Sequence, residues 1–135
     1  MASAGLSCDA LCVRGDFGYD SGVLAANALL DLENRPTAII GSNDQMTLAA
    51  LDAAKARGLH IPGDLSLISF DNTPVVRFTV PELTAVDQPI AATFSKAVEL
   101  LITNGDAPVP HQPVIIEGSL IERSSTAPPA PHGRA

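Results

Sequence analysis

Short apolar runs alternate along the chain with longer segments that have helical spacing. The apolar runs at 38–40, 65–70 and 83–86 are continuous, as in strands buried on both faces of a sheet. Residues 21–32 and 43–57 instead repeat apolar positions every three or four residues, as an amphipathic helix does. Strands and helices that alternate with short links predict an α/β fold with a mostly parallel sheet flanked by helices.

The second helix has clear start and stop signals. Asn43 and Asp44 offer N-cap side chains and early negative charge, and Gly58 followed by Pro62 ends the helix. Pro89 similarly opens a helix that extends to about Thr103.

Several segments carry weaker signals. Residues 10–13, 114–117 and 119–121 are candidate strands, and residues 75–80 could be a short helix or extended. From residue 124 onward Ser, Pro and Ala dominate, so we expect a disordered tail over 124–135.

Polar side chains follow the predicted strands. Asn43 follows the first of them, Asp71 the second and Gln88 the third, and ligands bind at this end of the strands in open α/β sheets. Each has an alternative role: Asn43 as a helix cap, Asp71 as a turn residue, and Gln88 as a solvated side chain. Phe17, in a turn-rich loop, could stack on the apolar face of a sugar or purine, or cap the core.

Composition excludes several functions. The net charge of −7, with eight scattered basic residues, argues against binding to phosphate backbones. No apolar stretch approaches a membrane span, and residues 1–12 lack a secretory pattern, so we expect a cytoplasmic protein. His60, His111 and His132 lack ligand spacing, and no cofactor or catalytic motif is present, so we expect no metal, no cofactor and no enzyme.

Four ordered motifs resemble the LacI/GalR family of bacterial transcription regulators. They are Asn43-Asp44-Gln45-Met46, the run from Asp64 to Thr73, Leu83-Thr84 with Gln88, and Glu122-Arg123-Ser124-Ser125-Thr126. The resemblance implies a type I periplasmic-binding-protein-like fold, in which a ligand cleft lies between two α/β subdomains. Residues 8–87 and 112–123 would then form the C-terminal subdomain, and 88–111 a crossover helix of the other subdomain. Residues 1–7 would be the start of an expressed fragment or a truncated helix.

The resemblance also implies a function. A sugar or nucleobase-like effector would contact Phe17, Asn43, Asp71 and Gln88, and DNA would be bound only through a domain absent from this chain. Ile90 departs from the large side chain that the family places after the crossover glutamine. A periplasmic sugar-binding protein of an ABC transporter, which shares the fold, is the alternative, and an enzyme that uses several aspartates is a third.

A homodimer is expected through the helix that begins at Asn43. Its small residues, together with Met46, could lie flat on the sheet, and a second apolar face would meet a partner about a twofold axis. The resemblance implies that family dimers pack through this helix and the segment after Asp71. The expected interface residues are Leu48, Leu51, Lys55, Val75, Val76 and Phe78.

Overall fold

The helices and strands alternate as the hydrophobic pattern predicts. The computed structural model describes residues 11–104 and 113–129. Within that part of the chain the elements are α1 (Tyr19–Leu30), β1 (Ala38–Ile40), α2 (Asp44–Ala56), β2 (Ser66–Asp71), a 3₁₀ turn (Pro74–Arg77), β3 (Thr84–Asp87), α3 (Ile90–Asn104) and β4 (Ser119–Ile121).

The four strands form one mixed sheet in the order β1-β2-β3-β4. The first three strands are parallel, with Ile39 beside Leu67 and Phe70 beside Val86, whereas β4 is antiparallel to β3. The carboxyl ends of β1, β2 and β3 therefore meet at one edge of the sheet, where β4 also begins. The predicted α/β fold with a mostly parallel, helix-flanked sheet is confirmed.

Helix α2 packs on several neighbours at once, because small residues allow close approach. It contacts α1, β2 and the 3₁₀ turn. A Cβ on Gly22 of α1 would lie 2.8 Å from the Cα of Met46, so this side of α2 faces α1 rather than the sheet. Another side of α2 carries Leu51 into the core with Leu65 and Leu67.

The expected dimer interface is wrong at two positions. Leu51 is 2% exposed and Val76 is fully buried, and both belong to the hydrophobic core of this single chain. Leu48 is partly buried against the same core. The second apolar face of α2 is thus largely covered by the chain itself, because the 3₁₀ turn folds against it. Val75, Phe78 and Lys55 remain exposed.

Two weakly predicted strands do not form. Residues 11–13 and 114–117 are irregular, whereas 119–121 is the strand β4. In the described part of the chain β1 is therefore one edge of the sheet.

The expectation of disorder over 124–135 is wrong for its first residues. Ser125 is fully buried, and its hydroxyl donates to the carbonyl of Leu67 and accepts from the backbone N–H of Thr84. The segment thus satisfies main-chain groups at the start of β2 and β3, which a search for hydrophobic periodicity cannot reveal. Residues 130–135 lie outside the described part of the chain.

Helix α3 follows the sheet as an amphipathic helix with an exposed apolar side. Phe94, Val98, Leu101 and Ile102 are all exposed. The assignment of 88–111 to a different subdomain stays a prediction, and residues 1–10 and 105–112, on which parts of the boundaries fall, lie outside the described residues.

Candidate effector-binding site

Asn43 connects the loop before α1, which contains Phe17, to the start of α2 at the edge of the sheet. It is the N-cap of α2, and its Oδ1 accepts a hydrogen bond from the backbone N–H of Met46 at 2.9 Å. Its Nδ2 donates to the carbonyl oxygen of Phe17 at 2.8 Å. The amide therefore fixes the Phe17 loop against α2 and keeps one N–H and one lone pair for a further partner.

Phe17 extends from a tight loop into solvent. Its φ of 68° is left-handed, and its side chain is 63% exposed. Asp16 holds the turn, since its Oδ1 accepts from the backbone N–H of Gly18 at 2.8 Å. Hydrogen bonding with Ser21, and then with Gly18, lowers the pKa of Asp16 below its ordinary value, so the carboxylate stays ionised near neutral pH. An exposed ring on a fixed loop is suited to stacking on a ligand.

Asp71 and Gln88 form a side-chain pair at the ends of β2 and β3. The Nε2 of Gln88 donates to Oδ1 of Asp71 at 2.5 Å. Asp71 is partly exposed and Gln88 exposed, and within the described residues neither Oδ2 of Asp71 nor Oε1 of Gln88 has a hydrogen-bond partner. The pair presents acceptor oxygens to solvent, as recognition of hydroxyl or amine groups requires.

A buried carboxylate connects these two parts of the site. Asp44, next to Asn43, accepts from the hydroxyl of Ser69 and from the backbone N–H and hydroxyl of Thr73, at 2.7 and 2.6 Å for the two Thr73 groups. Thr73 stands two residues after Asp71. The structure therefore brings the Phe17–Asn43 pair and the Asp71–Gln88 pair to the same edge of the sheet, and Asp44 has a structural role there.

Sequence reasoning missed three further polar residues at this edge. Asn72 hydrogen-bonds both Asp87 and Arg123, and Asp87 ends β3 directly before Gln88. The rule that located Asp71 could have found Asp87, which also follows an apolar strand. Arg123 lies two residues after the end of β4, and no local sequence pattern predicts its contact with Asn72.

The described residues contain no cluster of His, Cys, Asp and Glu suited to a metal ion. None of their helices combines the length and apolar character needed to cross a membrane. The chemistry that the edge offers is hydrogen bonding and aromatic contact.

Comparison with known proteins identifies the domain. A family model described as a periplasmic binding protein-like domain matches residues 1–126. The chain belongs to that family. It is 42% identical over 93 residues to catabolite control protein A of Priestia megaterium, a match that covers 69% of this chain and 28% of that protein.

Solved structures agree with this assignment. A LacI-family regulatory protein from Chloroflexus aggregans superposes with a TM-score of 0.80 at 39% identity, over 94% of this chain and 47% of that one. The transcriptional regulator CelR in complex with cellobiose gives a TM-score of 0.82 at 33% identity, over 92% of this chain and 38% of that one. The chain thus corresponds to part of the effector domain of LacI-type transcriptional regulators, a class of proteins that are not enzymes. These relatives favour a regulator over a transporter protein.

The chain spans only about a third of the curated relatives it matches, between 26% and 38% of their length. Features of the whole regulator, such as DNA binding, are therefore treated as proposals.

Proposed function

We propose that this chain is the effector-binding and dimerisation part of a LacI-type transcriptional regulator, and that it acts by reversible binding without catalysis. The effector is a sugar or a nucleobase-like molecule, and DNA is bound by a domain that is not part of this sequence. The protein works in the cytoplasm, where its DNA target lies.

The observation that carries the proposal is the Asp71–Gln88 pair, at the same edge of the sheet as Asn43. Sugars and nucleosides are recognised by carboxylates and amides that accept and donate several hydrogen bonds at fixed positions. Phe17, held by Asn43, adds an exposed ring for the apolar face of the ligand. The CelR relative is described in complex with cellobiose, which makes this disaccharide a suitable first probe.

The test is calorimetric. A panel of cellobiose, other mono- and disaccharides, and nucleosides is screened for a rise in melting temperature, and the tightest binder is titrated into the wild type and into Asp71→Ala. We expect the substitution to weaken binding by about 1.5–3 kcal/mol, the usual contribution of hydrogen bonds to a charged group.

Glu33→Ala is the matched control. Glu33 is exposed in the loop between α1 and β1, at the amino end of the strand, so its loss should leave the affinity unchanged. Equal affinity of Asp71→Ala and the wild type, or no binder in the panel, would contradict the proposal.

We also propose a homodimer through the surface beside α2. Asp44, Leu48 and Leu51 share one stripe of α2, and Asp44 bonds Thr73, so that stripe faces the segment after β2. Phe78 on this segment is 81% exposed and Val75 is also exposed, while Lys55 is exposed on the same stripe of α2 as the half-buried Leu48. A large exposed apolar side chain with apolar neighbours marks a contact surface. The interface proposed here therefore consists of Leu48, Lys55, Val75 and Phe78, and excludes the buried Leu51 and Val76.

A further inference from the structure

Asn72 lies between two opposite charges at the edge of the sheet. Its Oδ1 accepts from a terminal nitrogen of Arg123 at 2.7 Å, and its Nδ2 donates to Oδ1 of Asp87 at 2.7 Å. Both bonds are charge-assisted, and an amide that bridges a cation and an anion is polarised by both in the same sense. The three side chains form one chain of hydrogen bonds that links the segment after β4, the loop after β2 and the end of β3.

Arg123 is itself fixed. Its side chain is 12% exposed, and its other terminal nitrogen donates to the carbonyl of Leu83 at 2.5 Å. Its backbone N–H donates to the hydroxyl of Thr84 at 2.9 Å, and Glu82 lies 3.8 Å from Nε. Because Leu83 and Glu82 fix the guanidinium of Arg123, its remaining terminal nitrogen is a donor at a defined position for Asn72.

The backbone next to Asn72 needs such support. Asp71 has φ 107° and Asn72 has φ 59°, so two consecutive residues other than glycine occupy left-handed conformations. Each such residue persists only where surrounding contacts determine its conformation. The bonds from Asn72 supply these contacts, and they join the residue after Asp71 to the residue before Gln88.

We propose that Asn72 and Arg123 are positioning residues of the effector site. They hold the Asp71 carboxylate where it accepts the hydrogen bond from Gln88. This inference rests on the proposed function for its purpose, but the positioning itself can be measured without an effector. Asn72 and Arg123 act through Asp71 and Gln88, whose oxygens face the ligand.

The test exchanges the two partners of the hydrogen bond between Asn72 and Asp87. Asn72→Asp places a carboxylate opposite Asp87, so the bond is lost and the loop is repelled. Asn72→Asp combined with Asp87→Asn restores a donor–acceptor pair with reversed direction, while Arg123 still has an acceptor at residue 72. The readout is the side-chain amide resonance of Gln88 in ¹⁵N NMR spectra of the ligand-free protein, together with its hydrogen exchange.

We expect the Gln88 amide of the wild type to be shifted and protected by its bond to Asp71. In Asn72→Asp it should move to the position of a solvated glutamine and exchange at least about tenfold faster, as the loss of one such hydrogen bond implies. The double exchange should return both signals towards the wild type. A residue needed only for overall folding would not give such a reversal.

Asn72→Gly provides a second variant, because glycine keeps the positive φ without strain but removes both side-chain bonds. It should reproduce the shift and the faster exchange of the Gln88 amide in a protein that remains folded by circular dichroism. Arg123→Gln should give the same direction of change, and Asp20→Asn, on an exposed residue of α1, should give none.

An unchanged Gln88 resonance in folded Asn72→Gly or Asn72→Asp would overturn the proposal, as would a double exchange that is folded but does not recover the signal. Titration with cellobiose separates this outcome from a failure of the proposed function. If the wild type shows the protected Gln88 amide and the reversal but binds no member of the ligand panel, positioning stands and effector binding fails.

Discussion

Two neighbouring residues at the start of α2 have different tasks although both are polar and both follow β1. Asn43 is partly exposed, caps the helix and reaches the Phe17 loop. Asp44 is buried and directs its two oxygens inward to Ser69 and Thr73. The pair therefore attaches the candidate site to the core within one turn of helix.

Replacement of Asp44 by Asn should destabilise the fold. The carboxylate accepts three hydrogen bonds from donors, and an amide would turn one of its oxygens into an NH₂ group that faces those donors. A buried donor without an acceptor costs about 1–3 kcal/mol, so we expect a loss of that size in the free energy of unfolding. Urea denaturation monitored by circular dichroism measures it.

Asp20→Asn is the control, since Asp20 is an exposed residue of the first turn of α1 and should change stability by less than about 0.5 kcal/mol. Equal stability of Asp44→Asn and the wild type would show that Asp44 is dispensable.

The sequence predicts that Asn43, Asp71 and Gln88 lie at the carboxyl ends of strands, because the end of a buried strand is marked by an abrupt change from apolar to polar residues. It does not reveal Arg123, because the contact of Arg123 with Asn72 joins residues 51 positions apart in the chain. Pairings of this kind depend on the order of the strands in the sheet.

At the scale of elements, α2 shows why periodicity predicts helices well but their surroundings less well. The spacing in α2 predicts two apolar faces, one on the sheet and one on a partner protein, and the structure contradicts both placements. One partner is α1, which approaches at Gly22, and another is the chain after β2, so neither has to be a second protein. The burial of Leu51 follows from this packing and could not be derived from its spacing alone.

Gly22→Ala should destabilise the protein, against the usual rule for helices. Alanine normally favours a helix over glycine by about 0.5–1 kcal/mol. Here the added Cβ would lie 2.8 Å from the backbone of Met46 and 2.9 Å from the Cβ of Ala49, so α1 and α2 must separate. Overpacking of this kind costs about 1–3 kcal/mol, and chemical denaturation should show a net loss of stability.

Gly63→Ala is the matched substitution. The nearest atom to its added Cβ is 3.8 Å away, so its stability should remain close to that of the wild type. A Gly22→Ala variant more stable than the wild type would mean that the contact between the two helices is looser than described.

At the scale of the whole molecule, two groups of exposed apolar side chains are candidates for self-association. One region is the proposed interface, where Val75 and Phe78 stand beside α2. The other is the apolar side of α3, which includes Phe94 and Leu101. Self-association through either would produce a dimer, so the test must separate them.

We expect the wild type to sediment as a dimer at tens of micromolar, and Val75→Glu with Phe78→Glu to sediment as a monomer, because two buried carboxylates without partners would oppose the contact. Phe94→Glu with Leu101→Glu removes the apolar side of α3 and should leave the dimer intact. Leu24→Glu, on an exposed position of α1, is the neutral control. None of these five positions is buried, so the monomers should stay folded and keep their melting temperature.

If the α3 variant alone becomes monomeric, association occurs through α3 and the proposed interface is wrong. If the Val75 and Phe78 variant alone becomes monomeric, the twofold contact lies beside α2. Dimerisation would then depend on the segment after β2, which Asp44 connects to the effector site through its hydrogen bonds with Thr73. A ligand that moves this segment would therefore also change how the two subunits pack.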